Sequence, residues 1–241
     1  MWTVAHYMPV ALFSLKPASA TSSGGKTLLC PTPFALKMSL LDAVMRIRGL
    51  SAGESMWRDI RDLHIRLHLS HPIAVINTFT KIVRPKKNGP SDDVGTGLQT
   101  PLGSTIAYRE YVSYGGPIGI ALQTMEGTQL PTELTDLLFQ INYFGKRGGF
   151  MQLLDMPSTV EDASVSTEAG WIPLTNVQEG FSFRGTLQML DDCSAKLTFD
   201  QANIYSGKRI TLGKDRIIRH VVLPYQLTRS SRGFSLYERL P

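Results

Sequence analysis

The chain has little cysteine. Of 241 residues only Cys30 and Cys193 are cysteines. They lie far apart and form no CxxC pair, which excludes a zinc site built from cysteines. Two free buried thiols in a cytosolic protein are the expected state, with a disulfide left open. Long apolar runs are also missing. None approaches the ~20 residues needed to cross a bilayer, so no membrane partner is expected. The N-terminal MWTVAHYMPVALFSLK has no basic region ahead of its apolar residues and no convincing cleavage site. A soluble, cytoplasmic protein is expected. No Ser-His-Asp arrangement, paired carboxylates or HExxH motif appears, so serine-triad and zinc hydrolysis have no support. No catalytic residue, metal or cofactor is assigned. Acidic residues are the scarcer charge, with 20 Asp plus Glu against 25 Lys plus Arg and a net charge of +5. The pI is near 9.2. This basic excess is compatible with nucleic acid, and many enzymes share it.

What is plentiful is glycine (21) and proline (14), which suggests many short strands and turns. The length fits one large domain or two small ones sharing a core. The chain is organised around residues 24–49, GGKTLLCPTPFALKMSLLDAVMRIRG. Thr32 is a good N-cap, and Pro33 follows at the first helical position, where its missing N–H costs nothing. Phe34, Met38, Leu41 and Met45 form one apolar stripe. Leu36, Leu40, Val44 and Ile47 form an adjoining one, so the apolar face is wide. Gly49 sits where a left-handed cap is expected. Such a helix must be buried against a sheet, with Lys37, Arg46 and Arg48 left for its rim.

Residues 2–15 read as a first strand, broken at Pro9, and residues 16–26 as a loop. After the helix comes a short charged connection. In residues 60–69, IRDLHIRLHL, the apolar Leu63, Ile65, Leu67 and Leu69 alternate with His64, Arg66 and His68, which marks a half-buried strand. A turn at His71-Pro72 leads to a strand over 73–83. Residues 84–104 have no periodicity and are rich in Gly, Pro and polar residues. Their length and basic start make them a candidate finger or clamp. Residues 105–114 and 118–122 read as a strand pair turned at Gly115-Gly116-Pro117. Thr132 caps a second helix with Leu134, Leu137, Leu138 and Ile141 on one stripe and Gly145 at its end. A short strand follows at 150–154. The order β-α-β-β, extra strands, α-β is the ferredoxin-like pattern with an insertion before its second helix. Residues 156–180 read as a polar, acidic linker. Strands at 181–190, 195–199, 217–223 and 234–240 make a β-rich C-terminal part. The expected fold class is α+β, with a domain over 1–155, an insertion at about 84–104, and a linker plus β-rich part over 156–241.

Several groups could carry chemistry. His64 and His68 lie four apart on a strand, roughly 13 Å from each other at ~3.3 Å rise, and cannot share a metal. With Arg66 they form either a solvated strand face or an RNA-facing surface. Residues 23–27, SGGKT, match the end of a phosphate-binding P-loop, but Ala20 stands where the motif needs glycine and no helix follows directly. Lys26 remains a candidate phosphate contact. The Gly145-Lys146-Arg147-Gly148-Gly149 turn is either a basic helix cap or a phosphate site. The cluster Lys208, Arg209, Lys214, Arg216, Arg219, Arg229 and Arg232 is either a salt-sensitive phosphate-binding surface or a solvated one. Tyr108, Tyr111, Tyr114, Phe181 and Phe183 either stack bases or fill the core.

The chain resembles the Cas-five family of CRISPR-associated RAMP proteins, subunits of the Cascade-type complexes of type I systems. The resemblance is carried by Cys30-Pro31-Thr32-Pro33-Phe34-Ala35-Leu36-Lys37 running into Leu40-Leu41-Asp42-Ala43. It continues in Ile76-Asn77-Thr78-Phe79-Thr80-Lys81 and Tyr108-Arg109-Glu110-Tyr111-Val112, which look like central strands. Phe144-Gly145-Lys146-Arg147-Gly148-Gly149 looks like the family's leucine-glycine-lysine turn, with Phe in the Leu place. The resemblance implies a RAMP fold, a ferredoxin-like palm with a protruding thumb, for which 84–104 is the candidate, and a β-rich extension. It implies a non-catalytic RNA-binding role in antiviral defence, holding the five-prime handle of CRISPR RNA (crRNA) and capping a filament of Cas-seven subunits. The implied partners are crRNA, a Cas-seven-like backbone subunit, a large Cas-eight-like subunit and, through the complex, target DNA. The assigned RNA-binding residues are Lys26, Arg46, Arg84, Lys86, Lys87, Lys146, Arg147, Lys214, Arg216 and Arg219. One branch of the family also cuts precursor RNA without metal, using Tyr, Lys and His. Here His64, His68 and Tyr108 are present without an adjacent Lys-His pair, so an endoribonuclease is the alternative. A structural protein without RNA contact is the other.

Overall fold

The computed structural model describes residues 1–20, 25–92, 95–125, 130, 133–175 and 184–241. The first strand, β1 (Trp2–Pro9), leads through a loop to helix α1 (Pro33–Arg48). The Thr32 hydroxyl oxygen accepts from the Ala35 amide at 3.1 Å, and Pro33 opens the helix as its residue type dictates. Gly49 ends it at φ 85° with its N–H on the Met45 carbonyl. Its ψ of 179° is extended and not left-handed helical, so the chain turns sharply into a second helix, α2 (Leu50–Arg61). That helix stands where a short charged connection was expected. Gly53, Trp57 and Ile60 are its buried positions, a narrow stripe at helical spacing.

A ferredoxin-like sheet lies under these helices. Strand β2 (His64–Leu69) pairs with β7 (Ile118–Gln123), β7 with β1, and β1 with β8 (Met151–Leu153), all antiparallel. Helix α3 (Leu134–Phe139) connects β7 to β8. Counting only these four strands, the spatial order is second, third, first, fourth. One face of the sheet, with Tyr7, Ile65, Leu67, Ile120 and Leu122, packs against Leu36, Leu40, Val44, Leu134 and Leu138 of the helices in one core. The Tyr7 hydroxyl donates to the Leu138 carbonyl at 2.6 Å and ties β1 to α3.

The opposite face is covered by the segment 158–175, which the sequence presents as a linker. This segment supplies β9 (Ser158–Val160) alongside β1, a 3-10 turn at Asp162–Val165, and β10 (Ile172–Pro173) alongside β2. Val165 and Trp171 are buried there with Trp2, Val4 and Ala121. Gly119 makes room for this cover. It lies between His68 and His6 in the register, and a Cβ on it would stand 2.9 Å from the Trp171 ring.

The expected hairpin at Gly115-Gly116-Pro117 does not form. Residues 102–114 are β6, which pairs over thirteen rows with β3 (Ile73–Pro85). The register runs unbroken through a corner, with Leu69 opposite Ile118 in the palm and Ile73 opposite Tyr114 beyond it. Two long antiparallel stretches thus leave the palm together. At the corner the Gly115 N–H donates to the Pro72 carbonyl at 2.8 Å, and the Ser70 hydroxyl donates to the Pro117 carbonyl at 2.7 Å. The outer end of this ladder, with β4 (Ser91–Asp92) and β5 (Gln99–Thr100) at its tip, is the segment 84–104.

The C-terminal part contains the antiparallel ribbon of β11 (Thr186–Cys193) and β12 (Arg216–Leu223), packed on α1. Residues 195–199 are no strand; they lead into the short helix α4 (Phe199–Ala202), whose Thr198–Gln201 capping box is complete. Strands β13 (Tyr225–Ser230) and β14 (Phe234–Arg239) add to the base of the ladder, giving a second sheet in the order β13-β14-β3-β6. Lys37 corrects the expected rim of α1. It is buried, and its Nζ donates at 2.7 Å to Asp192 of β11. Ser23, Gly24, Thr132, Phe181 and Phe183 lie outside the described residues.

Candidate nucleic-acid interface

The ten cations assigned from the sequence fall into four places. Arg84, Lys86 and Lys87 lie at the outer end of the β3/β6 ladder. Arg84 and Lys87 are exposed, and their side chains have no ion-pair or hydrogen-bond partner among the described residues. Lys86 is half-buried and holds the tip together. Its amide donates to the Pro101 carbonyl at 3.0 Å, and its Nζ reaches Thr100 Oγ1 at 2.7 Å and the Ser91 hydroxyl.

Lys26 lies at the base of the ladder. Its Nζ is 2.7 Å from Oε1 of the buried Glu110. The other Glu110 oxygen accepts from the Thr27 amide at 2.9 Å, and the Glu110 amide donates to the Gly25 carbonyl. Glu110 therefore clamps the glycine loop to β6. Its hydrogen bond and charge raise the Lys26 pKa.

Arg46, Lys146 and Arg147 lie along α1, Arg46 in its last turn and the other two after Gly145, whose added Cβ would stand 3.5 Å from Ala35 in its first turn. Arg46 donates to Asp42 at 2.9 Å and to the Gln140 carbonyl. Arg147 lies beside the Tyr143 hydroxyl and within electrostatic reach of Asp42. The turn that presents Lys146 and Arg147 opens on Gly145 at φ 73° and leaves both side chains exposed.

Lys214 lies in the turn before β12, and Arg216 and Arg219 lie within the strand. Lys214 is exposed. Arg216 Nε donates to Asp191 at 2.6 Å while its guanidinium lies 4.1 Å from the Phe34 ring centroid. Arg219 Nε donates to Asp192 at 2.7 Å. Both aspartates are buried, so these arginines already satisfy carboxylates and hold β12 against α1.

The three tyrosines have separate fates. Tyr114 is in the core and donates to the Leu29 carbonyl at 2.9 Å, and burial pushes its pKa well up. Tyr108 is exposed and edge-on to Phe79, with ring centroids 5.3 Å apart. Tyr111 is half-buried on the other face of the same strand.

The polar row of β2 is half-buried and not a freely solvated face. Arg66 donates to the Val165 carbonyl at 2.8 Å and lies 5.2 Å from the Trp2 ring centroid. His68 packs on Trp171. His64 lies at the strand's start with Nε2 3.2 Å from the Met125 sulfur. The two histidines do not converge on any common atom. Burial first, then Arg239, His6 and His71, lower the His68 pKa from 6.5. Burial, Lys37 and Arg219 lower that of His64.

These lowered values make the fold acid-sensitive. Below about pH 6.5 the unfolded chain takes up the two protons and the folded chain resists them, so stability falls as pH drops through that value. The difference in urea-unfolding free energy between wild type and a His68→Gln variant should shrink from about pH 7.5 to about pH 5.5. A constant or growing difference would rule out this account.

Both cysteines are free and buried, with thiol pKa values pushed up to about 12 by burial. Among the described residues no three His, Cys, Asp or Glu side chains gather where they could hold a metal ion. No helix there is long and apolar enough to cross a membrane.

No family model matches the chain. In sequence it is 24% identical over 204 residues to the CRISPR-associated protein Cas5 of Archaeoglobus fulgidus, covering 82% of each chain. Among solved structures it is similar to a CRISPR protein from Archaeoglobus fulgidus, with a TM-score of 0.47 at 11% identity over 99% of this chain and 91% of that one. It is also similar to a chain of a CRISPR RNA-guided surveillance complex, with a TM-score of 0.48 at 12% identity over 100% and 90%. Along four fifths of its length the chain is thus similar in sequence to a CRISPR-associated Cas5 protein.

Proposed function

We propose that this chain is a non-catalytic, RNA-binding subunit of a CRISPR effector complex of the Cascade type. It holds the five-prime handle of crRNA and caps a filament of Cas-seven subunits in the cytoplasm. The sequence similarity to a Cas5 protein across four fifths of both chains carries this reading. Two features of the surface support it. The β3/β6 ladder projects from a ferredoxin-like palm and carries at its outer end the exposed cations Arg84 and Lys87, which have no partner among the described residues. The turn at 145–149 presents Lys146 and Arg147 to solvent. Cations placed this way bind phosphates without reading bases, which leaves sequence recognition to guide pairing. Arg216 and Arg219 serve the fold first, and Lys86 and Lys26 hold the ladder's tip and base.

The test is copurification of the tagged chain with its operon neighbours, followed by sequencing of the bound RNA. Short RNAs of uniform length starting with a repeat-derived handle are expected. The RNA affinity of that complex should fall steeply with salt. Replacing Arg84 and Lys87 by glutamine should flatten the log–log salt slope by ~0.7 for each phosphate that the two cations neutralise. A preparation free of nucleic acid and of partner subunits would refute the proposal.

A further inference from the structure

The second sheet, β13-β14-β3-β6, is packed on one side only. Its inward rows bury Ile73, Val75, Val112 and Tyr225. An antiparallel sheet of this kind normally turns polar residues outward. This one does not. The outward row through Ile76 places Phe234 on one side and Tyr111 on the other. The next row inward places Leu236, Ala74 and Ser113 together, with Arg229 beside Leu236. The next row outward places Arg109 opposite Thr78. Further out on the same face come Ile82 and Arg84. None of these residues is fully buried, and Phe234 is 37% exposed.

The charge on this face is one-sided. Arg84, Arg109 and Arg229 have no ion-pair partner among the described residues, and Glu238 is the single acid in the outward rows of the four strands. Strands stand ~4.8 Å apart and same-face residues follow each other at ~6.7 Å along a strand. Tyr111 and Phe234 are therefore about two strand spacings apart; Arg109 is the next same-face residue to Tyr111 on its own strand, and Arg229, beside Leu236, lies diagonal to Phe234. Rings that offer a stacking surface, each near a cation, suit an extended single strand of nucleic acid, whose bases stack while its phosphates take the charge.

We infer that this outward face is a base-stacking platform for single-stranded RNA, with Tyr111 and Phe234 as the stacking rings and Arg109 and Arg229 as phosphate partners. The inference rests on the RNA-binding role proposed above and adds the surface and the mode of contact. Stacking tolerates any base, so the platform contributes affinity and leaves sequence to the guide.

The test uses the full chain in its copurified complex, stripped of RNA, and a fluorescein-labelled RNA of about eight nucleotides, within the usual site size for such surfaces. A matching abasic ribose-phosphate strand is the second probe. Tyr111→Ala and Phe234→Ala should each weaken the RNA about tenfold and leave the salt slope and the abasic strand's affinity unchanged. Arg109→Gln and Arg229→Gln should weaken both probes and flatten the slope by ~0.7 each. All four side chains are outside the core, and unchanged melting temperatures would confirm that the variants fold. If the alanine variants bind RNA as wild type does while Arg84 and Lys87 variants do not, the platform is wrong and the RNA-binding role survives. If they lose a copurifying subunit with RNA affinity intact, the face is a protein interface and the inference fails. If no variant or wild-type complex binds RNA, the functional proposal fails with it.

Discussion

Asp192→Asn should destabilise the chain by about 3–5 kcal/mol, the usual cost of removing one partner from a buried ion pair. The Asp192 carboxylate accepts from Lys37 Nζ, from Arg219 Nε and from the Cys193 amide, each at 2.7 Å. Lys37 has 3% of its side chain exposed and Asp192 has 1%. The isosteric asparagine keeps the shape and removes the charge, leaving the Lys37 ammonium buried beside an amide. Urea unfolding should report the loss directly, and the melting temperature should drop by roughly 10 °C for a chain of this size. The double variant Lys37→Met, Asp192→Leu should recover most of the loss, because the cost lies in the unpaired charge and not in the missing attraction. Arg219 is partly exposed and can turn to water. Lys208→Ala, which breaks an exposed pair with Asp200, should cost under ~1 kcal/mol and serves as the comparison. An Asp192→Asn variant as stable as wild type would mean that water reaches this pair.

That ion pair was not legible in the sequence, although the helix carrying it was. Thr32, Pro33 and two apolar stripes specify α1 by local rules of capping and period, and those rules need no partner. Lys37 falls between the stripes, where a lysine normally reaches solvent. Only the β11/β12 ribbon, joined through more than a hundred intervening residues, closes over it. The paired acids at Asp191 and Asp192 were the available signal, because two carboxylates inside a strand need cations. Helix α2 was missed for another reason. It buries Trp57 and Ile60 along a narrow stripe, and a sequence of mostly polar residues after a glycine reads as a connection.

The strand pairing shows where local reasoning stops. A Gly-Gly-Pro turn between two apolar runs usually closes a hairpin. Here each run pairs with a different strand, residues 105–114 with β3 and 118–122 with β2, and the turn is a corner where the ladder passes from one sheet to the other. The alternation of residues 73–83 and 105–114 marks the strands but not this continuity, which depends on the long-range register. The polar row His64, Arg66 and His68 was placed correctly on its strand. Its cover could not be foreseen, because the stretch containing Trp171 looks like a linker in composition. Of the candidate interface, the exposed cations were visible as residue types. Which of them hold carboxylates, as Arg216 and Arg219 do, is decided by pairing across β11 and β12.

The outer end of the ladder should be removable without loss of the fold and with complete loss of function. Beyond the row of Asn77 and Glu110, no residue of β3 or β6 is buried. The amides of Glu110 and Val112 donate away from β3, to Gly25 and Phe13. The intervening residues Tyr111, Arg109 and Ala107 therefore face β3 as hydrogen-bonded pairs. Thr80 and Ala107 form such a pair in the register. Replacing residues 81–106 by Asn-Gly would close the ladder there with a two-residue turn suited to its twist. The core and the outward rings Tyr111 and Phe234 are retained. Stability should change by less than about 1 kcal/mol, as expected where no buried group is removed. Retention of RNA and of partner subunits in the copurified complex should fall at least about a hundredfold, since several of the cations proposed to bind phosphate go together. If the shortened chain still assembles and protects guide RNA, the ladder's end is not the thumb of this protein. A shortened chain that unfolds would instead mean that the ladder braces the palm through the corner at Pro72 and Gly115.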